Sequence, residues 1–153
     1  MSTDVGSGYK WTVLLITTIG AFMSPLDGSI VTIAIPSIAS SIEMGLETLV
    51  WIPLAYVLVL TVLLINMGRL ADLRGRKRIY TLGFIIFTAG SILCGTSSSG
   101  LQLVFFRTVQ GAGAAMIASN SPAIVTDTFP SSERGKALGI NATAVYAGLM
   151  TGP

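Results

Sequence analysis

Residues 48–78, TLVWIPLAYVLVLTVLLINMGRLADLRGRKR, set an uncharged run (48–68) directly against Arg69, Arg74, Arg76, Lys77 and Arg78. An apolar stretch of about 20 residues is what a helix needs to cross the hydrocarbon layer. Lys and Arg crowded at its end mark the side that stays cytoplasmic. The same pattern continues outward in neutral runs at 11–26, 79–106, 108–126 and 137–153. Charged residues make up 10% of the 153-residue chain, against about 25% in soluble domains. Hydrophobic residues reach 52%, and the mean hydropathy is +0.77. A soluble core of this size needs a charged shell, which this composition lacks. The reading is an all-α integral membrane protein, because lipid offers backbone polar groups no outside partner.

Five spans are predicted, at about 12–35, 49–68, 79–96, 101–124 and 137–153. The run 79–106 is too long for one crossing, and Thr96-Ser97-Ser98-Ser99-Gly100 reads as a tight turn between antiparallel helices. Lys10, the 69–78 cluster, Arg134 and Lys136 fall on one side. The alternate loops, 36–48 and 97–100, carry only Glu43 and Glu47. Residues 1–11 are therefore expected to be a cytoplasmic N-terminus in a multi-pass protein of the cell (inner) membrane. No cleavable signal peptide is evident. The single cysteine, Cys94, excludes an intrachain disulfide, and the absence of histidine argues against a zinc or haem site, so no metal is expected. Asn141-Ala142-Thr143 fits a glycosylation sequon but lies inside a span. Gly111-x-Gly113 has neither the third glycine nor the strand of a nucleotide loop. Trp11, Tyr9, Trp51 and Tyr80 read as interfacial anchors, whereas Tyr56 and Tyr146 are mid-span and suited to line a cavity.

Two ionisable residues lie within spans, where each costs about 2.5–3.5 kcal/mol on insertion scales. Asp27 has Thr17, Gly20, Ser24 and Val31 on its helical face, so it should point into the bundle. Arg107, followed one turn later by Gln110 and Gly111, sits about 9 Å below the outer surface, and Asp27 about 13 Å. Opposite charges at similar depth are expected to meet directly or through water. Burial penalises the charged carboxylate and a guanidinium favours it, so a change in their separation changes protonation. Arg107 itself stays charged. A purely structural ion pair between spans one and four is the alternative.

Four motifs then carry a resemblance to the major facilitator superfamily, in its fourteen-span drug:proton antiporter branch. Leu26-Asp27-Gly28-Ser29-Ile30-Val31-Thr32-Ile33-Ala34-Ile35-Pro36 resembles the branch's span-one signature, with Ser29 in place of Thr and Thr32 in place of Asn. Gly68, Asp72, Gly75, Arg76, Lys77 and Arg78 are similar to the superfamily loop between spans two and three, although Leu73 stands where a basic residue is usual. Gly68 and Gly75 would allow close approach and a tight turn. Leu103, Arg107, Gln110, Gly111, Gly113, Ala114 and Ala115 resemble the span-four motif whose Arg is linked to proton coupling. Gly139, Gly148, Gly152 and Pro153 follow the span-five antiporter motif as far as the chain runs. Gly148 and Gly152 with Ala144 also form a small-residue stripe suited to a tight crossing.

The resemblance implies a major facilitator-type N-terminal bundle with five of fourteen helices, residues 12–153 being a partial transporter domain. It implies a cytoplasmic gating loop at 68–78, which Glu133 and Arg134 in Pro130–Lys136 are expected to pair with across that face. The function implied is export of small hydrophobic or cationic compounds in exchange for protons, by alternating access. The proton gradient would drive it, with no cofactor, no ATP motif and no nucleic-acid partner. A proton symporter of a metabolite is the second reading, disfavoured by the span-five glycines. The third is a truncated, non-transporting membrane component, because five helices cannot supply both pseudo-symmetric halves and the missing C-terminal spans would be required.

Overall fold

The computed structural model describes residues 7–41 and 44–152; Glu43, Pro153 and residues 1–6 of the expected N-terminus lie outside the described residues. Five helices follow one another: α1 Ser7–Ser41, α2 Leu46–Arg74, α3 Arg76–Gly95, α4 Gly100–Thr128 and α5 Ser131–Thr151. The five expected spans correspond to them, and the turn at 96–99 falls where predicted. Four of the helices are long and apolar enough to cross a membrane, which makes this a multi-pass membrane protein. The fifth, α5, does not reach that composition. It has exchanged hydropathy for the small and polar residues Gly139, Asn141, Thr143, Ala144 and Gly148.

The connections are shorter than the charge pattern predicts. The expected loops 36–48, 68–78 and 130–136 are largely helical, because backbone hydrogen bonding continues until a residue interrupts it. Those interruptions are Gly45 before α2, Gly75 between α2 and α3, and Pro130 before α5. Gly75 has φ +98°, a conformation that side-chain-bearing residues rarely adopt. The Gly75 N–H closes the end of α2 on Ala71 C=O at 2.8 Å. At the other end of the bundle, the Ser99 side chain caps α4 by accepting from the Gln102 N–H.

Helix α4 packs against each of the other four. Its buried face is Leu103, Arg107, Gln110, Gly111, Gly113, Ala114, Ala115, Ile117, Asn120, Ser121 and Val125. A Cβ at Gly111 would sit 2.7 Å from Tyr56 C=O on α2, and one at Gly113 would sit 2.5 Å from Phe87 N on α3. Glycine there lets three backbones converge. The α1–α5 crossing works the same way, a Cβ at Gly148 falling 2.5 Å from Phe22 C=O. Ala144 is buried beside it, and Gly152 lies against Ser29. The close approach expected at Gly68 is corrected: Gly68 lies inside α2, where a Cβ would make only ordinary contact at 3.8 Å. Gly139, named only as a motif residue, faces open space.

Between α1, α4 and α5 a polar contact replaces apolar packing. Ser121 donates to Thr17 C=O at 3.2 Å, and Asn141 Nδ2 donates to Ser121 Oγ at 2.9 Å. The sequon asparagine is thus a buried packing residue. Outward, Leu15, Ile16, Ile19, Val62, Ile65, Ile85, Ile92 and Phe105 are exposed, an apolar surface of the kind lipid covers.

These contacts predict opposite outcomes for two glycines. Gly113→Ala should lose about 1–3 kcal/mol or more, because the new methyl meets backbone. Gly139→Ala should be neutral or slightly stabilising through helix propensity. Thermal unfolding in detergent measures both, and equal midpoints for the two variants would contradict the packing described.

Candidate functional site

Arg107 is placed two turns into α4 and Asp27 by the middle of α1, and they meet directly. Arg107 Nη1 donates to Asp27 Oδ2 at 2.6 Å. The residue is 1% exposed, and the Asp27 side chain 22%. Gln110, one turn along α4, completes the contact. Its Oε1 accepts from the same Arg107 Nη1 at 2.6 Å, while its Nε2 donates to Asp27 Oδ1 at 2.8 Å and to Ser91 Oγ on α3 at 2.6 Å. Both carboxylate oxygens are therefore held, one by a cation and one by a neutral amide. Only one orientation of the Gln110 amide serves all of these partners.

From α2, the Tyr56 ring lies under the guanidinium, 4.3 Å from ring centroid to Cζ. This cation–π contact is stronger where water is excluded. The Tyr56 hydroxyl is itself fixed by Ser24 Oγ at 2.6 Å. Arg107 Nε is buried with no hydrogen-bond partner among the described residues, so Nη1 and the Tyr56 ring hold the arginine. Tyr146, the other mid-span tyrosine, is 66% exposed on the outside of α5.

Two cavities flank the pair. One, about 440 Å³ between α1, α3 and α4, is lined by Asp27, Ser91, Cys94, Arg107 and Gln110 and extends to Ser97 at the end opposite the basic loop. The other, about 400 Å³, lies between α1, α2 and α5, beside Ser29, Pro53, Tyr56 and Arg107. Asp27 borders the first and Arg107 borders both. Chemically the arrangement offers a carboxylate reachable from a cavity, beside a guanidinium.

At the basic end, Arg76 bridges three helices. It binds Asp72 of α2 at 2.9 Å and Asp127 of α4 at 2.8 Å, and donates to Ala123 C=O at 3.2 Å. Lys77 and Arg78 are exposed. The expected pairing of Glu133 and Arg134 with the Asp72 loop is not formed. Glu133 takes Lys10 of α1 at 2.6 Å, and Arg134 Nε donates to Phe129 C=O at the end of α4 at 2.9 Å. The cause is that α5 begins at Ser131, which turns these side chains toward α1 and its own N-terminal junction. Trp11 stacks edge-on against Phe129, with Lys136 above its ring.

Asp127 and Ser91 are the site residues that motif reading missed. Asp127 is the first charge after the neutral run 108–126, a weak signal, and Ser91 carries none. Of the antiporter-motif residues, Gly148 and Gly152 lie at the α1–α5 crossing, Gly139 does not, and Pro153 is outside the described residues.

A multi-pass helical membrane protein with a buried charged pair between its first and fourth helices is the class that this geometry defines. Residues 17–153 match the Major Facilitator Superfamily, and the chain belongs to that family. It is 44% identical over 144 residues to the riboflavin transporter RibZ of Clostridioides difficile (strain 630), covering 94% of this chain and 32% of that protein. It is 40% identical over 141 residues to the multidrug resistance protein Stp of Mycobacterium tuberculosis, covering 92% and 26%. It is 37% identical over 142 residues to the multidrug transporter protein MdtP of Bacillus subtilis (strain 168), again covering 92% and 26%. The chain thus spans about a quarter to a third of the length of these relatives.

Removing one partner of a buried pair leaves the other uncompensated, at about 3–5 kcal/mol. Asp27→Leu alone should therefore destabilise strongly, and adding Arg107→Leu should recover much of the loss. A double-mutant cycle on thermal unfolding reads this, and simple additivity would contradict direct pairing.

Proposed function

We propose that this chain belongs to a secondary transporter that exports amphipathic or cationic small molecules in exchange for protons, by alternating access. In this reading it sits in the cell membrane with its N-terminus and basic loop cytoplasmic, as the Lys and Arg distribution favours. The observation that carries it is the buried Asp27–Arg107 contact at 2.6 Å beside a cavity that Asp27 lines. When Asp27 takes a proton, its attraction for Arg107 falls, and the contact between α1 and α4 weakens. Proton loss restores it. A titrating group whose partner moves is what couples a proton to a conformational change.

The Arg76 bridge to Asp72 and Asp127 supports the gating part of the proposal. It joins α2, α3 and α4 through partly exposed ion pairs, each worth about 0–1 kcal/mol. Bonds of that size close one end of a bundle and yield when the helices reorient. The antiporter direction rests on the span-five glycines, of which Gly148 and Gly152 occupy the α1–α5 crossing. Uptake of a metabolite is the second reading, and the 44% identity to a riboflavin transporter favours it.

Dye accumulation in cells expressing the complete gene separates these readings. Export predicts lowered accumulation of amphipathic dyes that depends on external pH, and Asp27→Asn should abolish that dependence. Raised accumulation of a flavin, with dye levels unchanged, would favour uptake. Unaltered pH-dependent efflux in Asp27→Asn would remove Asp27 from the coupling role.

A further inference from the structure

The loop, span-four and span-five motifs leave α3 without a part in the site, yet α3 grips the residue that holds the carboxylate. Gly90 packs so closely on α4 that a Cβ there would fall 2.9 Å from both Cα and Cβ of Gln110. The next residue, Ser91, accepts from Gln110 Nε2 at 2.6 Å. One turn on, Cys94 Sγ lies 3.9 Å from Gln110 Oε1. Three residues on one face of α3 thus fix the Gln110 backbone and one amide hydrogen. Its other amide hydrogen is left aimed at Asp27 Oδ1, at 2.8 Å.

We infer that Ser91 is a positioning residue for Asp27, acting through Gln110 so that α3 holds the carboxyl in place whether or not it carries a proton. This rests on Asp27 being the group that titrates, as proposed above. The two carboxylate oxygens have different partners, and that difference is the basis of the inference. A proton added at Oδ2 replaces the ion pair with Arg107 Nη1. Oδ1 then remains a carbonyl acceptor for Gln110 Nε2. Protonation consequently releases the arginine on α4 while the acid stays where Gln110 and Ser91 hold it. Arg107 becomes the moving part and Asp27 the fixed one.

The ionisable groups around Asp27 are Arg107 from α4, Tyr56 from α2 and Cys94 from α3. Among the described residues, α5 brings neither acid nor base to it: Glu133, Arg134 and Lys136 all lie in its first two turns, at the basic end. Ser91 itself carries no charge, so its effect on protonation must run through the hydrogen bond. A hydrogen bond to the charged carboxylate favours that form. Without Ser91, Gln110 loses its anchor and its aim, and the carboxylate is less well held.

The test is an infrared titration of the full-length protein in lipid. It follows the carbonyl stretch of the protonated acid, assigned by its disappearance in Asp27→Asn. Ser91→Ala should move the protonation midpoint to more alkaline pH by about half a unit or more, the size of one lost hydrogen bond. Ser91→Cys, which keeps the volume and weakens the acceptor, should move it the same way by less. Ser91→Thr, which keeps the hydroxyl, should leave it at the wild-type value. Midpoints unchanged in both the Ala and Cys variants would overturn the assignment, even if both lower stability. The pH profile of transport is a separate arm. A midpoint that moves in the infrared while the transport profile stays fixed supports the positioning role and counts against Asp27 as the coupling group.

Discussion

A guanidinium 1% exposed within an apolar helix has to be neutralised where it lies, and among the described residues Asp27 of α1 does so. That requirement sets the register of α1 against α4, because the two charges must arrive at one depth. It also explains why α4 is bordered by glycine and alanine from 111 to 115. With Arg107 and Gln110 filling the space toward α1, the backbones of α2 and α3 come close to α4 at Gly111 and Gly113. The buried pair and the small-residue face are two consequences of one packing problem.

The two ends of the bundle differ in how strongly they are held. Between α1 and α4 the contact is hydrogen-bonded at both carboxylate oxygens and stacked on Tyr56, so breaking it leaves the buried guanidinium unpaired. At the basic end the ion pairs of Arg76 and of Lys10 with Glu133 are partly exposed, and water can replace either partner. A bundle with a strong contact at the middle and weak ones at one end is able to open at that end first. In the proposed function, protonation of Asp27 then has a mechanical outlet that needs no unfolding.

Much of this was legible in the residues because helical periodicity reports depth and small-residue stripes report close approach. The meeting of Asp27 and Arg107 follows from counting residues from two surfaces, and a tight crossing on α5 from the spacing of Ala144, Gly148 and Gly152, whereas its partner α1 comes from the structure. What stayed hidden depends on which way a helix is turned about its axis. Ser91 is the single serine of α3 but belongs to no motif, and only the rotation of α3 directs it to Gln110. Asp127 joins Arg76 because α4 continues to Thr128, beyond the expected end of its span. Glu133 goes to Lys10, 123 residues away, because α5 starts six residues earlier than the charges suggest. Long-range pairs between charged side chains at helix ends follow from those boundaries, which depend on where the backbone stops hydrogen-bonding to itself.

The most direct test of the account is the separation of Asp27 and Arg107 in a bilayer. Carbon–nitrogen dipolar recoupling by solid-state NMR, with label at Asp27 Cγ and the Arg107 guanidinium nitrogens, measures it. The account predicts strong coupling at neutral pH, as required by an N–O distance of 2.6 Å, and its loss once the carboxyl is protonated. Absence of coupling at neutral pH, or coupling that persists unchanged after Asp27 is protonated, would contradict it.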